Sequence, residues 1–151
     1  MLKKIEGILV FLLLIFLLST LTLRLFGVET YVIASDSMAP NYRVNDLAYV
    51  KKESDVIKDD LKVGDVIAFN LNGQLVMHRI IALEDTHLIT KGDNNDVADD
   101  QITYNQVYGM VGFNLKFGGI LLNLYFWIIV MGLYVATLIT KSIIKEFKKG
   151  A

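Results

Sequence analysis

The stretch Val66-Ile67-Ala68-Phe69-Asn70-Leu71-Asn72-Gly73-Gln74-Leu75-Val76-Met77-His78-Arg79-Ile80-Ile81 decides the fold. Two runs rich in β-branched and aromatic residues, Val66 to Phe69 and Leu75 to Ile81, flank Asn72-Gly73. That pair favours a type I′ hairpin, because both central positions of such a turn need a positive φ. Strand alternation sets Val76, His78 and Ile80 on one face and Met77, Arg79 and Ile81 on the other. Similar short runs recur outward at Tyr31-Val32-Ile33, Leu47 to Val50, His87 to Thr90 and Val107 to Phe113. Asn45-Asp46 and Gly64-Asp65 punctuate the approaches to two of them. Lys51 to Asp60 is a charged connector expected to be a solvated loop, and no ten-residue amphipathic helical pattern stands out between residues 28 and 116. The expected fold is mainly β: a small antiparallel sheet or partial barrel.

The ends of the chain read differently. The 151 residues are 54% hydrophobic with a mean hydropathy of +0.47, and the apolar excess lies at the two termini. Gly7 to Leu23 and Phe117 to Thr140 contain no charged residue. The second run, as a helix, reaches about 36 Å, enough to cross a hydrocarbon core of about 30 Å. The first reaches only about 26 Å, and Leu25, Phe26 and Val28 can extend it while Arg24 snorkels to the headgroups. The expected organisation is an N-terminal anchor over 1–27, a β-rich domain over 28–116, and a C-terminal span with a basic tail over 117–151.

Charge orients this arrangement. Lys3 and Lys4 precede the first run, and Lys141, Lys145, Lys148 and Lys149 follow the second. Both termini are therefore expected in the cytoplasm and the middle domain outside, in a cell membrane crossed twice. The middle segment carries eight Lys/Arg against 14 Asp/Glu, a balance of −6 that suits translocation and argues against nucleic-acid binding. A cleavable leader is the alternative for the first run, but no small-x-small site directly follows it. With no cysteine, disulfides and thiol chemistry are excluded.

Two histidines, no cysteine and no Glu-x-x-His pair give little support for zinc, and no cofactor is expected. The run Asp93-Asn94-Asn95-Asp96 through Asp99-Asp100 lacks the ligand alternation, central glycine and closing glutamate of a calcium loop. Serine chemistry needs an exposed hydroxyl in a tight turn, a base and oxyanion donors. Ser35-Asp36-Ser37-Met38-Ala39-Pro40 supplies two hydroxyls two residues apart, although taken alone it is a polar turn after a strand. His78 between aliphatic neighbours is commonly a structural residue, yet it is the better candidate for a base. His87, in Asp85-Thr86-His87, reads as surface. Lys91-Gly92-Asp93-Asn94-Asn95 is a turn whose Asp and Asn side chains can cap amides, with one Asp free to reach a histidine.

In order, these segments resemble the type I signal peptidases. Ser35-x-Ser37-Met38-x-Pro40 resembles the nucleophile box. Leu61-x-x-Gly64-Asp65-Val66-Ile67 resembles the segment after it, and His78-Arg79-Ile80 the general-base box. Lys91-Gly92-Asp93-Asn94-Asn95 with Asp99-Asp100 resembles the last box. A histidine where the common bacterial branch carries lysine resembles the endoplasmic-reticulum-type branch, which includes archaeal and Gram-positive members. The resemblance implies a Ser-His-Asp serine endopeptidase that removes signal peptides after small residues. Ser37 would be nucleophile, His78 base, and the Ser37 amide with the Ser35 hydroxyl the oxyanion site. Two ways of counting favour Asp99 or Asp100 as the imidazole's partner. Asp100 is preferred, with Asp99 the alternative and Asp93 supporting. Ile33, Met38, Val76 and Met77 would meet the substrate strand, and Met38 and Tyr42 are apolar enough to dip into the bilayer interface. Partners would be secretory precursors and the lipid bilayer, with accessory subunits left open. The rival readings are a LexA-like self-cleaving peptidase, which uses lysine as base, and a non-catalytic membrane-anchored β-domain.

Overall fold

A computed structural model describes residues 2–52 and 60–149. The elements are α1 (Leu2–Leu25), β1 (Val28–Val32), β2 (Leu47–Lys52), β3 (Val66–Leu71), β4 (Gln74–Leu83), β5 (His87–Lys91), β6 (Ile102–Thr103), β7 (Val107–Leu115), α2 (Gly118–Leu121) and α3 (Leu124–Lys149). The strands form one open antiparallel sheet in the order β1-β2-β7-β3-β4-β5-β6. All six expected runs fall on strands, the first set earlier than expected, since β1 ends at Val32 and leaves Ile33 outside it. β6 is added to them, because two residues carry no readable period. The connector's residues 53–59 lie outside the described residues.

The β3–β4 hairpin forms as its turn chemistry requires. Asn72 and Gly73 have φ of 52° and 83°, and the Gly73 amide donates to Asn70 Oδ1 at 2.9 Å. That turn fixes the register Ile67↔His78 and Phe69↔Val76, so His78 follows Ile80 onto the buried side of β4. The core beneath is Leu61, Ile67, Phe69, Ile80, Leu88, Ile102 and Val107.

A buried carboxylate joins the sheet to the C-terminal segment. Asp46, 2% exposed, accepts the Phe117 amide on Oδ1 at 3.0 Å, and the Arg43 amide (3.0 Å) and Asn114 Nδ2 (2.9 Å) on Oδ2. Burial pushes its pKa up, but these three donors outweigh burial and hold the carboxyl below the ordinary range.

The terminal helices include two stretches, Glu6–Leu25 and Leu124–Lys148, that are long and apolar enough to cross a membrane, and neither is covered by the sheet. Leu18, Leu21, Ile129 and Leu133 are each at least 60% exposed. A helix apolar on all sides and uncovered by protein is suited to hydrocarbon. At the N-terminal end of α3, Asn123 Oδ1 accepts the Tyr125 amide at 2.9 Å and the Trp127 indole donates to Leu121 O at 2.8 Å. The first contact caps the start of α3, and the second ties α3 to α2.

Candidate active site

Three distant segments meet at the His78 ring. The ring's two nitrogens face opposite ways: Nε2 lies 3.2 Å from Ser37 Oγ and Nδ1 lies 2.6 Å from Asp99 Oδ2. A carboxylate only accepts, so Nδ1 carries the proton and donates to Asp99, and Nε2 is left to accept from the Ser37 hydroxyl. Thr90, fully buried on β5, donates its hydroxyl to the same Asp99 oxygen at 2.6 Å. Ser35 Oγ lies 3.3 Å from Ser37 Oγ. His78 itself is 7% exposed and its ring meets Phe69 edge-on, with centroids 6.1 Å apart. An imidazole so enclosed on the core side presents its reactive nitrogen in one direction.

The expected preference for Asp100 is corrected here. β5 ends at Lys91, and the following turn returns so that the Asp99 amide donates to Thr90 O at 2.8 Å. This pins Asp99 beside the ring and leaves its neighbour Asp100 exposed. Adjacent residues in an extended segment point to opposite sides, so both carboxylates cannot face one imidazole.

Asp93 has a different partner. Arg79, on the opposite face of β4 from His78, donates Nε to Asp93 Oδ1 at 2.8 Å and Nη2 to Oδ2 at 2.7 Å, while its Nη1 reaches Gly64 O at 2.8 Å. Asn41 Nδ2 adds a bond to Asp93 Oδ2 at 2.9 Å. The Arg79 guanidinium, with Asn41, holds the Asp93 carboxyl below its ordinary range against the opposing effect of burial. Removing one partner strands the other, so Arg79→Ala is expected to cost about 2–3 kcal/mol, measured by urea unfolding. Because the folded pKa of Asp93 is depressed, the pair's contribution is complete above the unfolded value near ~3.9 and is lost as pH falls through the folded value. Acidification below about pH 4 should therefore lower the unfolding midpoint of wild type more than that of Asp93→Asn.

The turn from Gly92 to Asn95 also grips the segment that carries Ser37. The Asn94 amide donates to Ser37 O at 2.8 Å. A Cβ on Gly92 would lie 2.6 Å from Ser37 O and 2.7 Å from the Asn95 carboxamide. Gly92→Ala must therefore displace backbone, with an expected loss of about 1–3 kcal/mol, read as a fall in Tm.

A groove of about 460 Å³ runs past Ser37 and His78. Ala48, Val50 and Ala68 are among the residues that line it, as are Ile33 and Ala34 on one side and Val76 and Met77 on the other. The two sides differ in free main-chain groups. Ile33 donates its amide to Asp46 O (2.9 Å) and accepts from the Asn45 amide (3.0 Å), so the groups pointing away from β2 here belong to Val32 and Ala34. The Ile80 amide bonds to Asp65 O on the β3 side. By alternation Leu75 and Met77 point the other way, where β5 pairs only from Arg79 onward. Met38 lines the groove but is 1% exposed, with its sulfur accepting the Asp93 amide at 3.4 Å. The expectation that it dips into the bilayer interface is thus corrected. His87 opens β5 half-buried, its Nδ1 3.3 Å from Thr86 Oγ1, and is no surface turn residue. Asn41 was not singled out from sequence, and Thr90 and Asn95, which also lines the groove, stood there only as members of a turn cluster. An isolated polar residue on a strand or turn carries no spacing signal.

Residues 5–109 match the family described as Signal peptidase, peptidase S26. Signal peptidase I W of Bacillus subtilis is 39% identical over 79 residues, 49% of this chain and 40% of that protein. The human signal peptidase complex catalytic subunit SEC11C is 30% identical over 82 residues, 50% of this chain and 41% of its own length. Signal peptidase complex catalytic subunit sec11 of Schizosaccharomyces pombe is 28% identical over 88 residues, 45% of this chain and 47% of its length. The chain thus spans less than half the length of these curated relatives. The family match covers more than two thirds of the chain and takes in the hydroxyl, the imidazole and the carboxylate described above, so the chain belongs to the signal peptidase, peptidase S26, family.

Proposed function

We propose that this protein is a membrane-anchored serine endopeptidase that removes signal peptides from exported proteins by a Ser-His-Asp mechanism. The observation that carries the reading is the continuous contact from Ser37 Oγ through both nitrogens of His78 to Asp99. Ser37 Oγ attacks the scissile carbonyl carbon while His78 Nε2 takes its proton. Asp99 keeps Nδ1 protonated and stabilises the imidazolium that forms, and Thr90 holds that carboxylate. The Ser37 amide and the Ser35 hydroxyl stabilise the oxyanion. Nε2 then delivers the proton to the leaving amine, and water attacks the acyl-enzyme in the second half.

Substrate pairs as an added strand between the free edge groups of Val32 and Ala34 and those of Leu75 and Met77. Cleavage follows alanine-like residues, as the resemblance to the type I signal peptidases implies, with Ala48 and Ala68 among the groove residues that the substrate's side chains would meet. The basic flanks of both helices put the termini in the cytoplasm and the groove outside, where a substrate's own apolar segment brings its cleavage site to the tethered enzyme. Processing of a secretory precursor by wild type, beside Ser37→Ala and His78→Ala, tests the reading; equal processing by all three overturns it. Protease protection of tagged termini tests the topology, and a C-terminus exposed outside defeats it.

A further inference from the structure

The groove wall at Ile33 is held by a turn that also receives the C-terminal segment. Asn45 and Asp46 bond to both main-chain groups of Ile33. The same two residues accept from the strap that follows β7: the Gly119 amide donates to Asn45 O at 2.9 Å and the Phe117 amide to Asp46 Oδ1 at 3.0 Å. The strap's fit is close. A Cβ on Gly119 would lie 2.7 Å from Val32 Cγ1 and 2.9 Å from Asn45 O, and a Cβ on Gly118 2.9 Å from Leu47 Cβ. From the same turn, the Val44 amide reaches Asp36 Oδ1 at 3.3 Å, one residue before Ser37. Asp46 is thus the junction: its carboxylate takes the Phe117 amide of the strap that leads to α2 and α3, joined by the Trp127 indole on Leu121 O, and its main chain holds Ile33 at the start of the segment that carries both serines. None of the chemistry above uses it.

We infer that Asp46 is a positioning residue: through it the strap Phe117–Leu122, and with it the C-terminal helix, sets the placement of Ile33 to Ser37 and so the approach of Ser37 to His78. The inference rests on the peptidase reading for its catalytic consequence. Asp46 must remain an acceptor on both oxygens, since each faces N–H donors. An amide at this position turns one donor against another with almost no change in volume. The C-terminal helix is then a working part of the catalytic unit as well as an anchor.

The test uses the full chain in lipid vesicles and a secretory precursor, with Asp46→Asn, Gly119→Ala and the double variant Val32→Ala/Gly119→Ala. Measurements are made well below each variant's Tm, so that kcat is per folded molecule. Asp46→Asn and Gly119→Ala should lower kcat by about tenfold or more with KM changed less than about threefold, because small displacements of a nucleophile act on the reacting geometry. Val32→Ala removes the methyls nearest the new Cβ and should restore part of the Gly119→Ala loss. Amide exchange should accelerate at Ile33 and Asn45, whose amides make the bonds of this turn, while β3 and β4 keep their protection. A kcat within about twofold of wild type in Asp46→Asn overturns the inference, as does exchange that rises equally across β3 and β4. If Gly119→Ala fails to fold, Asp46→Asn decides. If Ser37→Ala processes precursor as wild type does, the peptidase reading fails instead, and exchange at Ile33 and Asn45 still decides whether the strap holds that segment.

Discussion

Ser37→Ala is expected to slow precursor cleavage by about 10⁴-fold or more, His78→Ala to do nearly as much, and the double variant to be little worse than either. The non-additivity is the informative part. Ser37 Oγ and His78 Nε2 are 3.2 Å apart, and a base with no hydroxyl to deprotonate, or a hydroxyl with no base, loses the same step. The proposed oxyanion donors, the Ser37 amide and the Ser35 hydroxyl 3.3 Å from Ser37 Oγ, do not depend on the imidazole. They set the residual rate that all three variants share. Single-turnover cleavage checks this, since product release does not enter. Losses that multiply in the double variant would mean that Ser37 and His78 act in separate steps. Ser37→Ala should keep the wild-type Tm to within a few degrees, whereas His78→Ala removes a buried ring from Phe69 and leaves Asp99 without its imidazole partner, so its rate is taken per folded molecule, well below its own Tm.

Asp99→Ala is expected to lower kcat by about 10³–10⁴-fold, and Asp100→Ala to leave it within about threefold of wild type. Asp99 fixes the tautomer. Without it Nδ1 need not carry the proton, and a ring protonated on Nε2 cannot accept from Ser37. Thr90 makes the case sharper. Its buried hydroxyl, 2.6 Å from Asp99 Oδ2, leaves that carboxylate one position in which to serve the ring. Asp100 is exposed and the Asp99 amide bond to Thr90 O holds it there. The two variants measured side by side, with kcat and Tm for each, separate a lost orienting group from lost fold. An Asp100→Ala loss equal to that of Asp99→Ala would defeat the assignment.

Much of the fold was legible because it was written locally. Asn72-Gly73 needs no partner to favour its turn, and the alternation from Val66 to Ile81 follows from the period of a strand. The two terminal helices were legible from length and absence of charge alone. The site was half legible. Ser35, Ser37 and His78 stand in motifs whose order resembles a known family, and they fall together in space. The aspartate was not, because Asp99 and Asp100 are equivalent by composition and separated by a single residue of register. That register is set by the amide of Asp99 reaching Thr90 O, a contact between the two ends of a turn that no counting along the chain can find.

Sequence by itself determined the β-rich middle, the apolar ends, the hairpin, and the motifs in which Ser37 and His78 stand. Each depends on a residue's own chemistry or on neighbours within a few positions. Tertiary structure alone decided which aspartate meets the imidazole, which main-chain groups along the groove are free, and that Asp46 joins the C-terminal segment to the strand before Ser37. Those are properties of pairs that lie far apart in the chain. Which pairs form depends on the closing of every turn between them, and a hydrogen bond is made or lost over less than an ångström.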